Sequence, residues 1–579
     1  MKLTLNIILL LSLLSSQRLF AQQIDKIGKE NPVKVTGGIS VNQTAYSAWG
    51  MESRRDPYRY ILSGNLNFDV YGMAIPLSFS YSNQNFSYNQ PFNQFSLAPT
   101  YKWMNFQVGY GSISLSPYTL GGHTFFGGSV SGSPSDRWDF TVMYGRLKKA
   151  VATSNEGGES PSFRRMGVGF KTDYRHKSGS LGISFFHAKD NPSTYPTDSL
   201  PEGLLPEENL ATSFTIGQQI IENLTIQTEI GISFLTTDTQ SEKSPDRPQG
   251  LDWIFTSRTS TAMYWAVNGG INYTIKGWNI GGSYERIGPE YRTLGSYYAN
   301  SDLETATLNI AGGLFQNKIN LGANLGTQRD NLTGANSSDM SNFNMAFNLA
   351  WNVNEKINVN SSYSNFRSFT VIRDQFEVIN EADPNQPLDT LNYTQLTDAA
   401  NIGINWRISQ SKNIAQSISL NVNYQQTADL QTDSAAVNAD SKFWNGALGW
   451  NWSHKPMDLR FGISANASLT QANAAMPSTF TTGPTLSITK GFLKKKIKAR
   501  SSFSINQSRT DQIIQSMVYS WRLGASTTLN KVHTFNLSSV LLNRLDQQKA
   551  DNSISELTVS LAYSFRFNGL KKTKSKETN

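Results

Sequence analysis

The stretch Leu557-Thr558-Val559-Ser560-Leu561-Ala562-Tyr563-Ser564-Phe565-Arg566-Phe567 decides how the rest of the chain is read. Its odd positions are large and apolar, and the even positions between them are small or polar. Successive side chains of a strand point to opposite faces, so this is one strand with an oily face and a wet face. Its eleven residues match the length of a tilted strand that crosses a bilayer.

The same alternation recurs upstream. Tyr60 to Tyr71 sets Leu62, Leu66, Phe68 and Val70 against Ser63, Asn65, Asn67 and Asp69. Met73 to Tyr81 follows after a tight turn at Tyr71-Gly72. Ser341 to Asn354 opposes Phe343, Met345, Phe347, Leu349 and Trp351 to a row of asparagines, and Ile418 to Tyr424 repeats the pattern. The pattern predicts about 26 strands, within a range of roughly 22 to 28, because single barrel strands give weak signals.

Connection lengths alternate as well. Tight turns are expected at Tyr71-Gly72, Lys102-Trp103, His176-Lys177-Ser178, Lys276-Gly277, Gln316-Asn317, Asn354-Glu355, Gln410-Ser411, Lys455-Pro456 and Asn530-Lys531. Long polar loops are expected over 186–209, 235–258, 287–302, 364–391 and 424–440. Short turns at one end and long loops at the other are the habit of bacterial outer-membrane barrels. A soluble solenoid or a string of sandwiches has no reason to segregate them.

The bulk properties fit this reading. The 579 residues are 38% hydrophobic and mean hydropathy is negative, which suits strands with one polar face. The sequence has no cysteine, which excludes disulfides, an acylated N-terminal Cys and thiolate metal sites. A net charge of +8 is modest for this length, and part of it lies in the tail Lys571, Lys572, Lys574 and Lys576. It is not a nucleic-acid footprint.

Four segments follow. Residues 1–21 read as a secretory signal, with Lys2 as the basic start, Leu3 to Leu14 as the apolar core and Ala21 at the cleavage site. Residues 22–34 form a short periplasmic segment that leaves no room for an N-terminal plug domain. Residues 35–568 form the barrel, and 569–579 a basic periplasmic tail. The fold class is all-β: a single large transmembrane antiparallel β-barrel, its first strand paired with its last. Closure is required because an unpaired backbone group costs several kcal/mol in hydrocarbon.

Trp103, Trp278, Trp351, Trp406 and Trp452 lie within a few residues of tight turns and point to the oily face. Indole rings favour the headgroup level, so these five are expected to form the turn-side aromatic girdle against outer-membrane lipid. On the wet face, Arg407, Arg460, Lys498, Arg500 and Arg566 fall near the turn end, with Arg522 deeper. In a closed barrel they form a basic arc at the mouth, which either favours anions or an acidic partner, or pairs with neighbouring carboxylates and stiffens the wall.

No catalytic constellation stands out. His123, His176, His187, His454 and His533 are scattered without metal-ligand spacing, and there is no phosphate loop or nucleophile elbow. No cofactor is expected.

The signal ending Ala21-Gln22, the strand pattern and the terminal strand resemble a Bacteroidota-type outer-membrane β-barrel protein. The last strand is similar to the barrel-assembly signal through Ser560, Ala562, Phe565 and Phe567; Ala562 replaces its glycine, and twelve residues follow Phe567. Asp198-Ser199-Leu200, Asp389-Thr390-Leu391 and Asp433-Ser434-Ala435 resemble the O-glycosylation pattern of the same group, at Ser199, Thr390 and Ser434.

A barrel of about 26 strands spaced ~4.8 Å and tilted ~40° is of order 50 Å across. Left open it would breach the envelope, so inward loops or a separate protein must fill it. The leading expectation is a gated transport or secretion conduit for a large substrate in the cell outer membrane. The alternative is a structural anchor for a cell-surface protein or adhesin, with little conductance. An enzyme in the wall is the least favoured.

Overall fold

The computed structural model describes residues 33–70, 73–83, 93–152, 161–195, 201, 203–244, 254–297, 301–334, 341–365, 396–427, 441–471, 477–549 and 552–568. These form one antiparallel sheet of 27 strand segments. Gln94–Leu97 and Thr100–Tyr101 share the same two neighbours, Met73–Ser82 and Met104–Ser114, and count as one wall strand. The break falls at Ala98-Pro99, where proline has no N–H to donate. Ala98 N donates to Pro76 O at 2.8 Å and Phe106 N to Pro99 O at 2.8 Å, so the ladder continues across it. The wall therefore has 26 strands, as the sequence pattern predicts.

The sheet closes on itself. Val33–Trp49 pairs on one side with Tyr58–Val70 and on the other with Ile554–Asn568, in a register running from Thr36↔Asn568 to Trp49↔Ser555. Outward pairs along this seam include Ile39↔Phe565 and Val41↔Tyr563. At its loop end, inside the barrel, Tyr46 Oη donates to Glu556 Oε1 at 2.6 Å and Arg54 pairs with the same carboxylate.

The expected end-to-end asymmetry holds with one exception. Twelve connections on one side, including unlisted turns at 136–137, 222–223 and 493–496, run two to four residues. Connections on the other side run six or more, except Asp511-Gln512, which joins Ile497–Thr510 to Ile513–Leu529 directly. Both of its residues have positive φ, 49° and 67°, the backbone of a two-residue hairpin turn. The expected loop 186–209 is corrected: the strand Gly179–Asn191 continues past residue 186, and the next begins at Glu208.

Alternation sets the outer face. Leu181, Ile183, Phe214, Ile216, Ile226, Ile230, Leu448 and Ile463 are exposed apolar residues on outward positions. The ten steps from Trp265 to Ile275 span roughly 33 Å along the strand at ~3.3 Å each, hence roughly 25 Å across a membrane after a ~40° tilt. That equals the height of the apolar band of outer-membrane barrels. Outward charges near the loop end bound this band: Glu208 with His187 and Lys189, and Glu304 with Arg329 and Tyr284. The architecture is that of an outer-membrane β-barrel.

Candidate functional site

The five expected girdle tryptophans all sit beside turn-side connections on outward positions. Trp103 packs edge-on against Phe140, and Trp351 and Trp406 are exposed. Trp278 lies over Gly312, where any Cβ would meet its ring at 2.4 Å. Trp138, exposed and directly after the turn at 136–137, lies at the same end of the wall. Its turn, Asp136-Arg137, lacks glycine and so gave little sequence signal. At the loop end Trp49, Trp265 and Trp444 are exposed on outward positions. Ser199, Thr390 and Ser434 lie outside the described residues, as do the proposed signal and the basic tail.

The six basic residues of the arc occupy inward positions. Arg460 sits between outward Leu459 and Phe461, and Arg566 between Phe565 and Phe567. Four of them are gathered. Arg407, Arg460, Lys498 and Arg500 line one concavity of about 1220 Å³ at the turn-side mouth, together with Lys455 and Lys495 from the turns. Thr489 pairs with both Arg460 and Arg500, which places those two guanidinium-bearing positions two strand spacings apart, roughly 10 Å. Arg522, opposite Ser502, is one inward position deeper, and Arg566, opposite Gly38, lies along the seam; neither lines the concavity. Among the described residues none of the six forms an ion pair. Arg407 donates to Gln410 Oε1 at 3.5 Å, and Asp458 is the one carboxylate in the lining.

The opposite part of the lumen is built differently. The strands from Gly121–Ser135 to Trp278–Ile287 present large apolar groups inward: Phe125, Met143, Leu147, Phe186, Ala188, Leu235, Ala266 and Ile287, all buried. Two connections from the loop side cover them. The first, 115–120, brings Leu115, Tyr118 and Leu120; the second, 288–297, brings Tyr291 and Leu294. The two are joined to each other. Leu120 bridges Gly295, Thr293 Oγ1 donates to Thr119 O at 2.6 Å, and Tyr291 Oη to Tyr118 O at 2.6 Å.

Both connections are also tied to the wall far from where they emerge. Ser116 bonds Glu229, Tyr118 Oη donates to Glu285 Oε1 at 2.7 Å, and Thr119 Oγ1 shares a 3.0 Å bond with Ser184 Oγ. Gly231 makes room for this crossing, since a Cβ there would sit 2.4 Å from Tyr118 Cβ. Arg292 pairs with Glu207, and Asn209 Oδ1 accepts from Leu294 N at 3.1 Å. Burial and the Glu285 carboxylate push the Tyr118 hydroxyl well above the ordinary tyrosine range, and burial does the same to Tyr291. Each fully buried apolar side chain contributes about 1.5–3 kcal/mol, so these connections are fixed lining. Of the two, the second falls within the expected long loop 287–302; 115–120 is six residues long and was not expected. Its trace in the sequence is an apolar connection, Leu115-Ser116-Pro117-Tyr118-Thr119-Leu120, where turn chemistry would be polar.

Among the described residues no group of three or more His, Asp or Glu is placed to hold a metal. No family model and no curated protein matches this chain. Solved structures do match: the copper transporter OprC at 9% identity, covering 93% of this chain and 82% of that one, with a TM-score of 0.36. The outer-membrane transporter YddB from Escherichia coli matches at 9% identity over 92% and 81%, TM-score 0.36. The FrpB iron transporter from Neisseria meningitidis, in its F5-1 apoprotein form, matches at 11% identity over 92% and 81%, TM-score 0.36. Likenesses this distant carry no argument about cargo.

Proposed function

We propose that this chain is an outer-membrane conduit for a large anionic substrate, gated by a partner protein or by its loops. One observation carries the reading: Arg407, Arg460, Lys498 and Arg500 surround a single concavity at the turn-side mouth, and among the described residues none of the four forms an ion pair. Inward cations left without partners keep their field available to whatever enters, whereas paired ones would stiffen the wall. The sector containing them is lined by Asn, Ser and Thr, a surface that stays wetted.

The test is conductance and ion selectivity of the purified barrel in a planar bilayer. Anion preference is expected, and Arg407→Ala with Arg460→Ala, Lys498→Ala and Arg500→Ala should shift the reversal potential toward cations. Cation preference in the unaltered barrel would overturn the reading.

The anchor reading draws on the packed sector. Two connections fixed by buried contacts narrow the lumen permanently and form a rigid seat. A stoichiometric partner that co-purifies in mild detergent and leaves the barrel non-conducting would favour it.

A further inference from the structure

We propose that the chamber between the inward connection 288–297 and the wall binds a small hydroxylated organic acid, with Lys148 as its anchor. The chamber is about 520 Å³, inside the usual range for small-molecule sites. It opens at the loop-side half of the lumen, remote from the basic arc.

Strand geometry aims Lys148 at it. Trp138–Lys148 alternates outward Tyr144 and Arg146 with inward Met143 and Leu147, so residue 148 would ordinarily face lipid. A bulge between Arg146 and Lys148 turns it inward instead. It then lines both this chamber and a second one of about 360 Å³.

The neighbouring charges are already committed. Arg165 donates to Asp190 at 2.8 and 2.7 Å and to Glu207 at 2.8 Å, and Arg292 also pairs with Glu207. Glu290 accepts from Tyr264 Oη at 3.0 Å. Lys148 is left without an ion pair or hydrogen bond among the described residues. Asp190 and Glu207 act on it only through space; a partly buried ammonium without a contact partner is costly, and a bound carboxylate supplies that contact.

The remaining lining fixes the rest of the ligand. Tyr297 stands half-exposed at the chamber with one face stacked on His123, ring centroids 3.9 Å apart, and offers its flat surface to a saccharide-like ring. The second carboxylate oxygen of Glu290 and the Ser301 hydroxyl line the chamber and suit ring hydroxyls. An acid at one end and hydroxyls on a ring describe the uronic-acid class.

The test is calorimetric titration of the full-length barrel in detergent with glucuronate, using glucose as the neutral control. Glucuronate should bind and glucose should not. Lys148→Met should weaken glucuronate at least tenfold, and Lys148→Arg should retain most of the affinity. No glucuronate binding, equal binding of glucose, or affinity indifferent to Lys148→Met overturns the proposal. Should Lys148→Met fail to fold, Tyr297→Ala replaces it: affinity at least threefold weaker is expected, and unchanged affinity overturns the assignment.

Discussion

Tyr118 joins two wall strands and the connection 288–297, none of them its neighbour in sequence. Its hydroxyl donates to Glu285, its backbone carbonyl receives Tyr291, and its Cβ fills the space left by Gly231. Tyr118→Phe strands the Glu285 carboxylate and should cost about 1–3 kcal/mol, read as a lower melting temperature in detergent. Gly231→Val puts a Cβ onto Tyr118 and should cost a similar ~1–3 kcal/mol while unseating 115–120, read as increased conductance. The raised tyrosine pKa fixes the sign of the pH effect. The protonated hydroxyl is favoured in the folded state, so its contribution is complete below the unfolded value near ~10 and is lost only as pH rises through the higher folded value. Melting temperature should therefore lose a Tyr118-dependent component only at alkaline pH, and Tyr118→Phe should abolish that component.

At the scale of elements, the alternation that made the outer wall legible also explains where the reading failed. Alternation reports the contrast between lipid and water. Ile418 to Tyr424 and Leu557 to Phe567 border both, and their strands appear where expected. Gly179–Asn191 borders lipid on one side and a packed connection on the other, so Phe185 and Phe186 are both apolar and the period disappears. Its second half consequently resembles a loop. The basic arc was legible by parity, because Arg460 and Arg566 interrupt clear apolar rows. Its gathering into one concavity was not, because that depends on register between strands separated by turns of different length. The girdle can be tested on one element: Trp138→Ala, at the position the turn chemistry concealed, should destabilise the bilayer-folded barrel by about 1–3 kcal/mol, read from its denaturant midpoint in liposomes. The same change in detergent should cost less.

On the scale of the whole molecule, the described residues divide the lumen between a sector covered by two of the chain's own connections and a sector lined by polar and charged residues. The division predicts that conductance responds unequally to substitution. Changes to the arc should alter selectivity with little change in stability, whereas changes under 115–120 and 288–297 should alter both. Side-by-side reversal potentials and melting temperatures for Arg460→Ala and Phe186→Ala would check it. The Phe186 variant is expected to lose about 3–5 kcal/mol.

The seam between Val33–Trp49 and Ile554–Asn568 has a consequence for how the protein reaches its folded state. These strands lie at opposite ends of the polypeptide, so the ladder that completes the wall is also the contact of greatest sequence separation. Folding of this chain is a ring closure whose entropic cost falls on the final step. Until the last residues emerge from export, every intermediate carries two unsatisfied strand edges. Such intermediates would be vulnerable to chaperone capture and proteolysis, so substitutions that weaken pairing of Ile554–Asn568 are expected to lower the yield of closed barrel.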